Sequence, residues 1–560
     1  MSIGPNLISV LESVLPRILT QACRDIDNPA YGCFDRNWWH YRIRDFASVI
    51  LQQGGYAVHT ASKVCNPDLL PPAFADSLAA GSCRFWNARA VRHGAFEEYY
   101  PWEQGYPPLA FSTLAVAKLV AEGVVPKGDV HAGLVIAAKQ LSTRFEPKAA
   151  NQQIAGLAAL AWIKKVAPEL VSDDALASQK EKSLALQTSE GWFWEYDGPD
   201  IGYLSVTLDC LWDLIDATGD PDYRHSADRA LAFMHHVAAI PRRGLGMLNA
   251  RNTDYVVPYG IARHFADGSP DQQAQAADLL EIFYADAHAP SHFFKAIDDR
   301  YWCHYIGHSV ARAIAVLDHA NNKPRANPLP ELPAPLFLDE CGYVFRKLPN
   351  GALSIALRKG GVFTLHDGDA ALADFGWIVA SGRRQHVSHW WSLDWTIHHT
   401  NDRDDVSGTL APHKEVESTP WMHFGLRCIS LVFGKSIIGL LKKVMVFKKS
   451  KSPYTFRRVI TVENAAVVVH DEIAGLRPGD TVAPATRSSK RHVASADSYH
   501  AEDALLARAV TPTRETRREA DRFTATTRIP IAQPRATTPV GGHPVPTQSP
   551  STASPAPSQP

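Results

Sequence analysis

The chain has 560 residues, too many for one ordinary core, so two or three domains are expected. Hydrophobic residues make up 45% and charged residues 21%, the balance of a globular protein, and a formal net charge of -1 gives no global field to recruit nucleic acid or a membrane. Any anionic ligand must be held by local Arg and Lys.

Residues 1–39 read as an N-terminal helix and lead-in. Glu12 and Arg17 interrupt the apolar run that a secretory signal needs, so the expected location is cytoplasmic, or periplasmic or secreted if the start site is misassigned. From 40 to 320, segments with helical apolar spacing recur between loops rich in Gly, Pro and aromatics, among them "YRIRDFASVILQQGG", "LAFSTLAVAKLVAEG", "NQQIAGLAALAWIKKVAP" and "LSVTLDCLWDLIDATG". Their number and spacing predict helical hairpins stacked into an α/α toroid. Residues 321–335 form a proline-rich linker, beyond which the hydrophobic period changes to two. "GYVFRKL", "ALSIALRKG", "GVFTLHDG", "LRCISLVFG", "VMVFKKS", "YTFRRVITV" and "AAVVVHDEI" read as strands of one or two antiparallel sheets, so 336–525 is expected to be a β-sandwich. Residues 526–560, crowded with Pro, Ser and Thr, are expected to be disordered.

No stretch reaches 18 apolar residues; the best, "ISLVFGKSIIGLL", contains Lys435, so no membrane insertion is expected. The eight Cys lack metal-type or paired spacing and read as reduced, buried thiols. No metal or cofactor is implied.

A helical toroid followed by a sandwich, with particular residues in each, resembles the heparinase II/III-like group of polysaccharide lyases. "LFLDECGYVFRKLPNGALSIALRKG" resembles that group's opening strands, a Gly-Tyr pair leading into an Arg-ending strand. "YTFRRVITVENAAVVVHDEI" resembles its later pair, an Arg-containing strand followed by one ending in Asp. "GAFEEYYPWEQGYPPLAFSTLAV" is similar to a loop-plus-helix of the helical part, and the likeness spans roughly residues 40 to 480. The resemblance implies β-elimination on an acidic, uronate-containing polysaccharide. That reaction needs a group to neutralise the carboxylate, a base for the neighbouring C–H, and an acid for the departing oxygen.

"NARNTDYVVPYGIARHF", residues 249–265, holds amides, phenols, Arg and His together. Asn252 could cap the carboxylate, with Arg251 or Arg263 adding charge, and Tyr255 or Tyr259 could move the proton. His264 from the helical part or His366 from the sheets could assist. The competing reading makes both Tyr core residues and Asn252 a turn cap. A second loop alternates Glu97, Glu98 and Glu103 with Tyr100 and Trp102, a plausible saccharide platform that also admits a glycosidase pair. A third, "EGWFWEYDGPDIGYL", sets Trp194 and Tyr203 around Glu195, Asp197 and Asp200, whose acids could equally cap a helix. In the sheets, the resembled lyases carry a His-x-His-x-Asp-like run; here it is His366, Asp367, Gly368 and Asp369, with the second His replaced by Gly. The expected partner is an acidic polysaccharide or oligosaccharide. The alternatives are a glycoside hydrolase using the loop carboxylates, or a saccharide-binding or polysaccharide-biosynthesis accessory protein without catalysis.

Overall fold

The computed structural model describes residues 3–94, 96–289, 292–320, 329–368, 370–413, 419–433, 452–463, 465–486 and 512–531. Two concentric layers of helix come first. The inner layer runs Gly54–Ser62, Tyr106–Ala121, Ala150–Val166, Ile201–Thr218, Tyr259–Asp267 and Gly307–Ala320, each packed on the next and the last returning to the first. Outside it lie Ile3–Gln21, Pro72–His93, Lys127–Thr143, Asp173–Leu184, Pro221–Ala239 and Pro270–Tyr284. The chain is an α/α toroid followed by antiparallel sheets.

Apolar patterning explains the two layers. The inner helix Ala150–Val166 buries every residue from Ala150 to Ile163, as a helix with neighbours on all sides must. The outer helix Lys127–Thr143 buries only the stripe Val130, Gly133, Leu134, Ala137, Ala138 and Leu141. Polar residues on the inner layer are paired. Asp213 is bound by Lys118 and by Arg312 Nη2 at 2.5 Å. Burial pushes its carboxyl up, but the two cations outweigh that and leave it below the usual carboxylate range.

The sheet region has three sheets among the described residues, every strand pair antiparallel. A five-stranded meander runs from Leu336–Leu338 through Tyr343–Leu348, Gly351–Ala356 and Val362–Asp367 to Ala370–Asp374. A six-stranded sheet orders Thr513–Arg518, Arg522–Pro530, Ala466–Ala474, Thr455–Glu463, Arg403–Thr409 and Thr396–His399. It packs on the meander through Val344, Leu353, Phe363, Val467 and Ile529, and on a four-stranded sheet through Trp377, Val379, Phe456 and Phe523. The Arg and Asp of the resembled strand pair sit opposite each other, Arg458 Nε donating to Asp471 at 2.7 Å in full burial. They are structural.

Several expectations need correcting. The lead-in helix Ile3–Gln21 belongs to the toroid wall, burying Leu7, Val10, Leu11, Val14 and Ile18 against it. "YRIRDFASV" is loop, with Arg42 in the left-handed region, and helix starts only at Ile50. Three sheets replace the one or two expected. Of "LRCISLVFG", the residues up to Phe433 lie in a helix, Pro420–Phe433, not a strand, and its Cys428 is exposed while the other seven Cys are buried. The "VMVFKKS" strand and residues 532–560 lie outside the described residues. The strand Arg522–Pro530 crosses the expected tail boundary, because Ile529 fills the sandwich core.

Toroid and sheets share one core. Cys341, Tyr343, Phe345, Ala356 and Phe375 join the toroid's apolar cluster, and Tyr343 Oη donates to Leu248 O at 3.2 Å. The loop 246–255 is therefore pinned between the two parts.

Candidate active site

Asp200 organises the toroid side. It caps the helix Ile201–Thr218, Oδ1 accepting from Tyr203 N–H at 3.1 Å. Its Oδ2 accepts from the backbone N–H of Arg251 at 3.2 Å and Thr253 at 3.3 Å, so one carboxylate fastens the loop to a helix start. Burial raises it to about 6, against these hydrogen bonds. Gly202 permits the approach: a Cβ there would stand 2.1 Å from Thr253 Cγ2.

Asn252 is held in the left-handed region (φ 59) within this loop. Lys359 reaches it from the sheets, Nζ donating to Asn252 Oδ1 at 2.5 Å, to Met247 O at 2.6 Å and to Asn249 O at 2.8 Å. An ammonium only donates, so it fixes the amide oxygen toward the sheets and the amide NH2 on the opposite side. Burial lowers Lys359 to about 7.

Arg251 is 5% exposed and lies over the Tyr196 ring at 3.8 Å. Its Nε and Nη1 have no hydrogen-bond partner among the described residues. Buried donors left unsatisfied are costly, and Nε and Nη1 open on different edges of the guanidinium, so each offers a charge-assisted hydrogen bond of its own to an anionic group. The sheets add a wall to this place. Trp391 packs on Gly198 and makes edge contacts with Trp192 and Trp194, centroids 6.5 and 6.1 Å away. His389, two residues before it, is held at about 3 by burial and then by the Lys359 charge.

Tyr255 points into the toroid, where its hydroxyl hydrogen-bonds that of Tyr305. Burial pushes both phenols up, so both are neutral near pH 7. Tyr305 stands in a π-helical turn, Trp302–Ile306, interrupted at His304 (φ -91, ψ -145). Such turns break the helical ladder and frequently mark functional sites. His304 is buried, its Nε2 has no hydrogen-bond partner among the described residues, and burial with the Arg300 charge keeps it neutral. Its ring centroid is 6.1 Å from that of Tyr305.

Other anticipated residues are not part of this group. Tyr259 opens a helix just after Pro258, so it shares no helical face with Tyr255. Its hydroxyl contacts Asp216 Oδ2 at 3.2 Å and its ring lies under Arg312. Asp216 is about 24 Å along the helix from Asp200 at 1.5 Å per residue. Arg263 bonds Asp216 and Asp267, and His264, fully buried, accepts from Trp212 Nε1 at 3.0 Å. All three residues serve the toroid core. His366 sits on Val362–Asp367, half-buried, held at about 4 by burial and then by the Arg243 charge. The carboxylates of the second loop tie their own backbone. Glu103 accepts from Glu98 N–H at 3.0 Å and Tyr99 N–H at 2.8 Å, and Glu97 from Trp102 N–H at 2.7 Å. Glu98 is raised to about 8 by burial and then by Glu103. Tyr100 is half-buried and Trp102 is exposed in the left-handed region. Trp194 joins the aromatic wall, whereas Tyr203 is a buried cap partner.

The reading of residues one segment at a time missed Tyr305, His304 and Lys359. "YWCHYIGHS" carried a signal, two Tyr and two His within one helical entry, but it read as the start of a helix. Lys359 had none, being an ordinary cation at a strand end.

No family model matches the chain, and no curated protein matches it. Among solved structures it is similar to chondroitin AC lyase of Streptomyces coelicolor A3. A mutant of that lyase shares 11% identity with a TM-score of 0.42, over 94% of this chain and 77% of that one. The same lyase in complex with chondroitin sulphate shares 10% identity, TM-score 0.42 and the same coverage. Heparinase III shares 10% identity with a TM-score of 0.41, over 92% of this chain and 94% of that one.

Proposed function

We propose that the chain is a polysaccharide lyase that cleaves a uronate-containing polymer by β-elimination in the group between toroid and sheets. The observation that carries this reading is Arg251, buried beside Asn252 with two N–H donors lacking acceptors among the described residues. A uronate carboxylate supplies the acceptors, and Arg251 with the Asn252 amide withdraws charge so that the neighbouring C–H becomes acidic. His304 Nε2, a neutral imidazole, takes that proton. The electron pair forms the C=C bond as the glycosidic C–O bond breaks, and the departing oxygen takes a proton from the Tyr255–Tyr305 phenol pair. Burial leaves the phenols protonated and the imidazole neutral, the protonation states in which an acid and a base begin this step. Lys359 positions Asn252 and touches no reacting atom.

Elimination leaves an unsaturated uronate that absorbs in the ultraviolet, while hydrolysis gives reducing ends without it. On a panel of uronate polymers the wild type yields the absorbing product. Arg251→Ala lowers turnover by about 10²-fold, the loss expected for one charge-stabilising donor. Reducing ends without absorbance contradict the reading in favour of hydrolysis. Saturable polymer binding with neither product makes the chain a saccharide-binding accessory protein.

A further inference from the structure

The helix Pro420–Phe433 presents the largest run of exposed apolar side chains in the described residues. Trp421 is 81% exposed and Val432 73%, with Phe424, Leu431 and Phe433 also out in solvent, and Ser430 is its one buried residue. A helix apolar on nearly every side belongs in a core or an apolar medium, and exposed patches of this kind mark interaction surfaces. An ion pair ties it to the toroid, Arg427 Nη1 to Asp45 Oδ2 at 2.6 Å and Nη2 to Oδ1 at 3.2 Å. The Asp45 loop adds exposed Tyr41 and Ile43, with exposed Arg42 between them.

Charge selects the occupant. From Ser418 to Val462 the sequence contains no Asp or Glu, and six Lys fall between 435 and 451. A second copy of the chain would bring like charge onto like. An acidic glycan has the opposite charge but no hydrocarbon to receive Leu431, Val432 and Phe433. An anionic bilayer offers both. Fourteen residues of helix span about 21 Å, short of the hydrocarbon thickness, and no helix among the described residues is long and apolar enough to cross a membrane.

We propose that Pro420–Phe433 seats on an anionic lipid surface, lying along the headgroup plane with its aromatic and aliphatic side chains in the acyl boundary. A cationic stretch that follows an apolar helix in the sequence is the combination that binds such surfaces, through buried apolar area plus attraction to anionic headgroups. This surface is independent of the chemistry assigned to Arg251 and His304.

The test is flotation of the full chain with phosphatidylcholine vesicles, with and without phosphatidylglycerol. The protein floats with the phosphatidylglycerol vesicles, and high salt weakens that binding. Replacing Trp421→Ser, Leu431→Ser and Phe433→Ser together lowers partitioning by about tenfold or more, while circular dichroism and melting temperature stay unchanged because all three are exposed. Should that variant melt lower, Trp421→Phe decides. Brominated acyl chains quench wild-type tryptophan fluorescence, and the variant loses part of that quenching. No flotation, equal flotation of the serine variant, unchanged quenching in Trp421→Phe, or a lipid-independent dimer broken by the serine changes overturns the proposal.

Discussion

Arg251 and Lys359 are two buried cations with opposite situations. Lys359 has all three donors engaged and acts as a tie, whereas Arg251 has two donors without acceptors among the described residues. The tie has a pH signature. Below pH 7 both folded and unfolded chains carry the Lys359 proton, and above 10.5 neither does. Between those values the unfolded chain holds a proton that the folded chain has released, so this group makes stability rise with pH across the window. Urea midpoints of wild type and Lys359→Met, compared at the two ends of that window, should show the rise in the wild type relative to the variant. A parallel pH dependence of the two would mean that Lys359 keeps its ordinary value when folded. Of the residues proposed for the site, Asn252, Arg251 and Tyr255 stood out in the sequence, because amide, guanidinium and phenol crowded into one connector are unusual for a mere turn. Tyr259, Arg263 and His264 shared that crowding and still belong to the core. Proline ends the loop at 258, and the helix that follows turns their side chains toward Asp216 and Trp212. Which way a side chain leaves a turn is a tertiary fact.

At the scale of elements, periodicity read the toroid well, because its inner helices are apolar all round and its outer ones striped. It failed at Pro420–Phe433, where Ile, Leu, Val and Phe suit a strand as well as a helix and only the partners decide. It also failed at the C-terminus, where Thr and Arg in Arg522–Pro530 looked like tail composition but alternate with buried Phe523, Ala525, Thr527 and Ile529. Two truncations test that boundary. A chain ending at Ile531 loses only residues without aromatics and should melt within about a degree or two of the full chain. One ending at Arg528 removes fully buried Ile529 and its neighbour Ile531 and should lose about 2–5 kcal/mol, the cost of emptying a core site. Thermal melts of equal stability for both would mean that Ile529 and Ile531 contribute nothing to the sandwich core.

Across the whole molecule, the proposed site draws residues from both the toroid and the sheets. Lys359 and the wall of Trp391 come from one part, Arg251, Asn252, Tyr255, His304 and Tyr305 from the other, and no single stretch of sequence contains the set. The central claim is that the phenol serving the reaction belongs to the Tyr255–Tyr305 pair and not to Tyr259, whose hydroxyl is held by Asp216 and Arg263. Tyr305→Phe and Tyr259→Phe each remove one oxygen from a buried phenol, so they should cost similar stability, about 1 kcal/mol. Ultraviolet absorbance of the unsaturated product, followed for both variants on one uronate polymer, separates them. Tyr305→Phe should lose about 10²- to 10⁴-fold in turnover and Tyr259→Phe should stay within about threefold of wild type. Full activity in Tyr305→Phe, or a collapse of turnover confined to Tyr259→Phe, would contradict the assignment.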